Sequence, residues 1–295
     1  MLKMRIVEPK SESPELTTGK KSKKKLGIVL LLLLVVAGVA TFVFMGRETT
    51  PSPTETTQEV TKPSLAAQQT STETVPITGE LRIFTDNEFN VFYNNLLQPG
   101  LERVENPPFI TGNDIADVRI REIAEARGYR LRASPSEDAN IILVDGYQLH
   151  AAVADPWESL QSAAAAEGHT MSIVSAYRSV SDQRGLFTAR LAAAGATISQ
   201  VEAGEADDIV DQVLVESSIP GYSKHHTAYT IDLLCEGYIF ENFKNSNCNE
   251  WLIEDNYRNA KEYGFIPSYP PEADAQGPDP EAWEYVYVGR EQLTQ

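Results

Sequence analysis

The sequence predicts an α+β fold, a small antiparallel sheet with packed helices, preceded by one transmembrane helix and a disordered linker. An apolar run occupies residues 26–45, and a segment rich in Thr, Ser, Pro, Glu and Gln follows it. Beyond that, short β-branched stretches alternate with helical patterns, which is typical of helices packed on a sheet. We therefore divide the chain into a cytoplasmic basic tail (1–25), a membrane anchor (26–45), a linker (46–80), an accessory segment (81–139) and a main domain (140–295).

The apolar run from Leu26 to Met45 has 20 residues, enough for a helix to cross a hydrocarbon layer of ~30 Å. Five lysines between residues 20 and 25 precede it, and such a flank keeps the N-terminus in the cytoplasm. A cleaved signal peptide is the alternative, but its apolar core has only about 7–15 residues. The linker has too few large apolar residues to offset its ordering entropy. We therefore expect a single-pass protein of the cell membrane, anchored in the lipid bilayer through residues 26–45, with its main domain outside the cell.

The net charge of -17 is unevenly distributed. Residues 1–25 carry eight Lys or Arg and three Glu, or +5, so the remainder carries -22. Nucleic acid is excluded as a partner because phosphate binding needs a basic face. The only cysteines, Cys235 and Cys248, are predicted to form a disulfide in an oxidising compartment. Two buried thiols are the alternative.

Capping residues and periodicity predict the elements in order. The predicted strands are 81–84, 140–144, 171–175, 229–234 and 283–288. Helices are predicted over 114–127, from Asp155 to Gly168, from Ser181 to Gly195, and over 207–216 and 251–263. The first helix is expected to bury a stripe formed by Ile115, Val118 and Ile123.

Two potential metal ligands, His225 and Asp232, are separated by six intervening residues around the start of a predicted strand. A catalytic zinc takes three protein ligands from His, Asp, Glu or Cys and leaves one position for water. A single histidine and a strand aspartate are, however, more often structural. The pair therefore needs support from other parts of the chain.

Four segments supply that support, and they occur in a fixed order between residues 147 and 290. They are Tyr177-Arg178-Ser179 with Gln183, Ser223-x-His225-x6-Asp232, the stretch from Trp251 to Ile266, and Glu281-x-Trp283-x-Tyr285-x-Tyr287-Val-Gly. This order resembles the LAS family of zinc peptidases, the D-alanyl-D-alanine carboxypeptidases and dipeptidases of the VanY type.

The resemblance implies a function for each matching residue. His225 and Asp232 are zinc ligands, and Glu281 is the general base that takes a proton from the attacking water. Arg178 stabilises the carbonyl oxygen as charge develops on it. Ser223 binds the free carboxylate of the substrate, and Gln183, in the same substrate-binding set, braces the arginine loop.

One residue departs from the family pattern. The family has a histidine as third ligand, three residues after the catalytic glutamate, and this chain has Glu284 there. Glutamate is a legitimate zinc ligand, but the extra carboxylate makes the bound ion a weaker acid and favours harder ions such as Mn²⁺. Loss of metal binding is the alternative. Ala228 also replaces a glycine of the family.

The resulting prediction is a membrane-anchored carboxypeptidase with one Zn²⁺, or another divalent ion, that acts on peptidoglycan stem peptides. The alternative is a non-catalytic module that binds cell-wall peptides through Arg178 and Ser223. Metal content and product release distinguish the two hypotheses.

Overall fold

The computed structural model describes residues 79–295. The predicted tail, the predicted membrane span and nearly all of the predicted linker lie outside these residues. No helix within residues 79–295 is long and apolar enough to cross a membrane. The α+β class is confirmed for this part of the chain, in which helices pack around small antiparallel sheets.

The described residues form helices and strands with the following bounds. The helices are α1 (Asp86–Asn95), α2 (Asp114–Ala126), α3 (Ala151–Ala166), α4 (Val180–Ala193), α5 (Ile198–Ala203), α6 (Asp207–Leu214) and α7 (Asn247–Lys261). The strands are β1 (Leu101–Glu102), β2 (Ser134–Pro135), β3 (Ile141–Val144), β4 (Tyr147–His150), β5 (Met171–Ser175), β6 (Thr230–Cys235), β7 (Phe265–Pro267) and β8 (Glu284–Tyr287). Short 3-10 turns cover Lys224–Thr227, Phe240–Asn245 and Arg290–Leu293.

The central sheet has four antiparallel strands in the order β5-β6-β8-β7. Strands β1 and β2 form a separate pair, as do β3 and β4. In the central sheet, Asp232 on β6 lies opposite Ser175 on β5 and opposite Glu284 on β8. Because directly paired residues share a face of a sheet, the carboxylates of Asp232 and Glu284 emerge side by side.

The other face of β6 anchors the sheet in the main hydrophobic core. Ile231 and Leu233 alternate with Asp232 along the strand, and they pack in one cluster with Trp157 and Leu160 of α3. All four are buried, and burial of each large apolar side chain contributes about 1.5–3 kcal/mol. The apolar face therefore fixes the strand and leaves the opposite face for polar side chains.

Helix α2 of the accessory segment packs against α5 and α6, but only partly through the predicted stripe. Ile123 is partly buried against the neighbouring cluster, whereas Ile115 and Val118 are 60% and 48% exposed, so the prediction was wrong for these two residues. The residues on the buried face are Ala116, Asp117, Ile120 and Ala124. The two alanines let the helices approach closely, and a salt bridge of 2.5 Å from Arg119 to Asp207 of α6 reinforces the contact.

Two predicted helix starts were also misplaced. Helix α3 begins at Ala151, where the His150 ring accepts a hydrogen bond from Ala152 N at 3.2 Å. The predicted start at Asp155 therefore lies inside the helix. Helix α4 begins after Ser179, whose Oγ accepts from Asp182 N at 3.0 Å, instead of at Ser181. In both cases a nearby acceptor satisfies an orphan N–H earlier than the sequence suggests.

Two further differences concern the first predicted strand and the last helix. The predicted strand at 81–84 is reduced to one bridge between Leu81 and Thr294. Helix α7 begins at Asn247, before the predicted Trp251, and positive φ angles at 255–257 interrupt it. The structure joins Cys235, at the end of β6, to Cys248, in the first turn of α7, by a disulfide.

Candidate functional site

The three predicted metal ligands come together in one buried pocket. His225 Nε2 lies 3.3 Å from Asp232 Oδ2 and 3.1 Å from Glu284 Oε2. One ligand atom from each residue falls within 4.8 Å of the other two. All three residues are less than one tenth exposed. One imidazole nitrogen and two carboxylates therefore face a common point.

Backbone geometry places His225 beside the two strand carboxylates. The 3-10 turn that carries it is capped by Ser223, whose Oγ accepts from His225 N at 3.3 Å. The turn ends at the buried Ala228, which has a left-handed φ of 62°. This conformation is unfavourable for a residue with a Cβ atom and natural for glycine. The glycine that the family has at this position matches that requirement.

A backbone hydrogen bond fixes the orientation of the His225 ring. Its Nδ1 lies 2.7 Å from the carbonyl oxygen of Ala176, which can only accept, so Nδ1 carries a proton. Nε2 is left facing Asp232 and Glu284. A ring held in this way presents Nε2 to a metal ion, as metal-bound histidines commonly do.

Without an ion, the pocket is stabilised by a charge pair. Burial alone would lower the pKa of His225, but Asp232 and Glu284 together raise it to about 10. Burial likewise would raise the pKa of Glu284, whereas His225 lowers it to about 2. At neutral pH, the metal-free site therefore holds an imidazolium at His225 beside an ionised Glu284.

The other oxygens of the two carboxylates fit a cation. Asp232 Oδ1 and Glu284 Oε1 are buried and have no hydrogen-bond partner among the described residues. A buried ionised oxygen without a partner is costly. Imidazole nitrogen and carboxylate oxygen are ligands that zinc accepts, and the two carboxylates also suit Mn²⁺. The donor set thus fits a divalent metal ion.

Glu281 lies three residues before Glu284, in the turn that leads into β8. The two are linked by a backbone hydrogen bond of 3.2 Å from Glu284 N to Glu281 O. Burial raises the pKa of Glu281 well above its ordinary value, and the Glu284 and Asp232 carboxylates raise it further. A carboxyl group with a raised pKa is suited to accept a proton and release it again.

Arg178 is attached to the same pocket through its backbone and its side chain. Its N–H donates to His225 O at 3.2 Å, and its Nη1 donates to Gln183 Oε1 at 3.0 Å. Gln183 is fully buried and donates to Ser218 O at 2.6 Å. The amide of Gln183 therefore positions Arg178 and is directed at protein groups.

The remaining histidines point away from the metal pocket. His226 Nδ1 lies 2.7 Å from Arg178 O, and its Nε2 accepts from Gly221 N at 3.0 Å. His150 contacts Tyr229, and the ring centre of His169 lies 5.8 Å from that of Trp251. No other histidine in the described chain replaces the missing third imidazole.

Lys224 is a residue of the site that sequence reasoning missed. It is 1% exposed, and its Nζ donates to Ser268 O and lies 3.5 Å from the centre of the Tyr269 ring. Lys224 also helps to lower the pKa of Glu284, after the larger effect of His225. The position of Lys224 between Ser223 and His225 could have indicated that it belongs to the site, but the sequence does not reveal that its side chain is buried.

Comparison with known proteins identifies the domain. Residues 146–290, just under half of the chain, match the family model of VanY, described as D-alanyl-D-alanine carboxypeptidase. No curated protein has significant sequence similarity to the chain.

Three solved structures are similar to part of this chain. A mutant of the vancomycin-resistance D,D-pentapeptidase VanY from the VanB-type cassette, in complex with Zn(II), is 26% identical, with a TM-score of 0.41, over 56% of this chain and 87% of that chain. VanYB in complex with D-alanine-D-alanine is 26% identical, with a TM-score of 0.42, over 54% and 83%. The LD-carboxypeptidase LdcB is 20% identical, with a TM-score of 0.43, over 64% and 84%.

The family model covers all of the residues discussed above, from Ser175 to Glu284. Residues 146–290 therefore belong to the VanY family of D-alanyl-D-alanine carboxypeptidases, within the LAS group of peptidases.

Proposed function

We propose that this protein is a membrane-anchored, metal-dependent D,D-carboxypeptidase that removes the terminal D-alanine from peptidoglycan stem peptides. Membership of the VanY family supports hydrolysis of D-Ala-D-Ala bonds. The observation that carries the proposal is the convergence of His225, Asp232 and Glu284 in one buried pocket. Glu281 and Arg178 are attached to that pocket by backbone hydrogen bonds.

A divalent ion would be held by His225, Asp232 and Glu284, with zinc as the first candidate and manganese as the second. When bound, the ion would act as a Lewis acid that lowers the pKa of the attacking water. The partly exposed Glu281 accepts the proton of that water and delivers it to the leaving amine. The Arg178 guanidinium stabilises the negative charge that develops on the carbonyl oxygen.

Ser223 supports binding of the peptide end. Its Oγ accepts a hydrogen bond from His225 N, which leaves the hydroxyl hydrogen for the free carboxylate of the substrate. The apolar run at 26–45 and its basic flank place this site outside the cell in the proposal, on a tether long enough to reach stem peptides near the membrane.

Metal affinity is expected to rise with pH. A cation can bind His225 Nε2 only after the proton leaves, and the pKa of His225 is raised to about 10. Binding should therefore tighten about tenfold per pH unit between about pH 7 and pH 9. The free energy of unfolding of the metal-free protein should fall as the pH rises. Protonated His225 stabilises the fold fully at pH values below the pKa that it has in the unfolded chain, and this stabilisation is lost as the pH rises through about 10, its pKa in the folded protein.

Competition of zinc with a chelator of known affinity, at several pH values, measures this slope. Asp138→Asn, a change of an exposed carboxylate outside the pocket, provides a control for general charge effects. An affinity independent of pH, after correction for protonation of the chelator, would show that no proton is displaced from the pocket.

The direct test of the proposed function combines elemental analysis of the purified full chain with a D-alanine release assay. We expect one metal ion per chain and release of D-alanine from a peptide ending in D-Ala-D-Ala. Both should disappear with a chelator and return with zinc or manganese. Absence of turnover in fully metal-loaded protein would reject the proposal.

The charge pair in the metal-free pocket favours a second candidate function, a non-catalytic module that binds cell-wall peptides. Since His225 Nε2 lies within 3.3 Å of both carboxylates, its imidazolium form compensates part of their charge without an ion. This candidate predicts peptide binding that survives both chelator and the Glu281→Ala change, with no product formed. The same two measurements therefore separate the two functions.

A further inference from the structure

We propose that Arg190 is a substrate-binding residue of this site and that its guanidinium binds the C-terminal carboxylate of the peptide. The inference rests on the proposed function, because it assumes a peptide whose scissile carbonyl lies at Arg178. Arg190 lies outside the motifs that the family resemblance covers. The case for it depends on its place in the structure.

Arg190 lies on the face of α4 that positions Arg178. Gln183, Phe187 and Arg190 are spaced by four and three residues, so they share one side of the helix. Gln183 and Phe187 are fully buried, and Gln183 accepts from Arg178 Nη1 at 3.0 Å. Long side chains on a helix lean toward its N-terminus, which directs Arg190 toward the Gln183 end.

The side chains of Arg190 and Gln183 both donate hydrogen bonds to one short segment of backbone. Arg190 Nη1 donates to Glu216 O at 2.6 Å, and Gln183 Nε2 donates to Ser218 O at 2.6 Å. The two residues thus bind carbonyls only two positions apart. This shared attachment agrees with the electrostatic effects of Arg178 and Glu281 on Arg190, which show that the two guanidinium groups are near each other and near Glu281.

The charges around Arg190 are incompletely compensated. Burial lowers the pKa of Arg190, Arg178 lowers it further, and Glu216 and Glu281 act in the opposite direction. Within residues 79–295, no carboxylate lies within 4.0 Å of the Arg190 guanidinium. Its Nε is buried and has no hydrogen-bond partner among the described residues.

Two neighbouring guanidinium groups and an unused buried donor together fit an anion. The substrate carries its C-terminal carboxylate on the residue that follows the scissile carbonyl. The Cα atoms of these two residues are only about 3.8 Å apart, so the carboxylate lies close to the carbonyl. Arg178 at the carbonyl oxygen and Arg190 at the carboxylate match this arrangement.

The test compares a peptide ending in D-Ala-D-Ala with its C-terminal amide. Calorimetry on the full chain in the Glu281→Gln background measures binding without turnover. We expect the protein without a change at residue 190 to bind the peptide with a free C-terminal carboxylate more tightly than the amide. Arg190→Gln should weaken binding of the carboxylate form about 10- to 100-fold, the range for a hydrogen bond to a charged group. The affinity for the amide should change little, and Arg190→Lys should retain part of the preference.

Arg184→Gln is the matched control, because Arg184 lies on the same helix but stacks on Phe109, with 3.7 Å from its guanidinium carbon to the ring centre. It should leave the preference for the acid unchanged. A folded Arg190→Gln variant that keeps this preference would overturn the assignment and leave the proposed function intact. A parent that binds neither peptide would overturn both.

Discussion

Replacing Glu281 with glutamine should lower D-alanine release by about 10²- to 10⁴-fold, the usual contribution of a general acid–base group. Glutamine keeps the shape of the side chain but cannot accept the proton of the attacking water. Metal content should stay at the level of the unmodified chain, because the proposed ligands His225, Asp232 and Glu284 are untouched. Initial rates at saturating peptide, together with elemental analysis, measure both quantities.

The same substitution should not destabilise the fold. Burial and two nearby carboxylates raise the pKa of Glu281, so its ionised form opposes folding and a neutral amide removes that repulsion. Glu272→Gln is the matched control, because Glu272 is exposed and lies on the same connection between β7 and β8. If Glu281→Gln retained more than about one tenth of the parental rate, assignment of Glu281 as the base would be wrong.

The parts of this fold that the sequence predicted are those that depend on local chemistry. The strands at 171–175 and 229–234 followed from β-branched and apolar residues. The pocket residues were predicted from the resemblance to the LAS family, which rests on short spacings, such as the one between His225 and Asp232, and on the order of the motifs. The α+β class depended only on these local features, and it is confirmed for residues 79–295.

The parts that the sequence did not predict depend on contacts between distant residues. Ile115 and Val118 looked like a buried stripe, yet Ala116 and Ala124 face the neighbouring helices, where small side chains allow close packing. The pairing of Asp232 with Glu284 is set by the register of β6 and β8. Spacing in the chain does not determine that register when about fifty residues separate the strands.

The substitution with the second largest expected effect is Glu284→Ala. If Glu284 is a ligand, its removal leaves only His225 and Asp232, and zinc affinity should fall by more than the 10- to 100-fold that is typical for loss of a group supporting a ligand. D-alanine release at limiting zinc should fall with it. Unchanged metal affinity in Glu284→Ala would mean that the ion, if present, binds without this carboxylate.

Glu284→His is the complementary variant, because it restores the third imidazole of the family pattern. A neutral ring in place of a carboxylate leaves more positive charge on the metal site, so the attacking water should become more acidic. We therefore expect higher selectivity for zinc over manganese and a rising limb of the pH–rate profile displaced to lower pH. Zinc titrations and pH–rate profiles of the parent, Glu284→Ala and Glu284→His measure these changes. A Glu284→His chain with the same selectivity and the same profile as the parent would place residue 284 outside the coordination sphere, since a ligand exchange from carboxylate to imidazole must alter both.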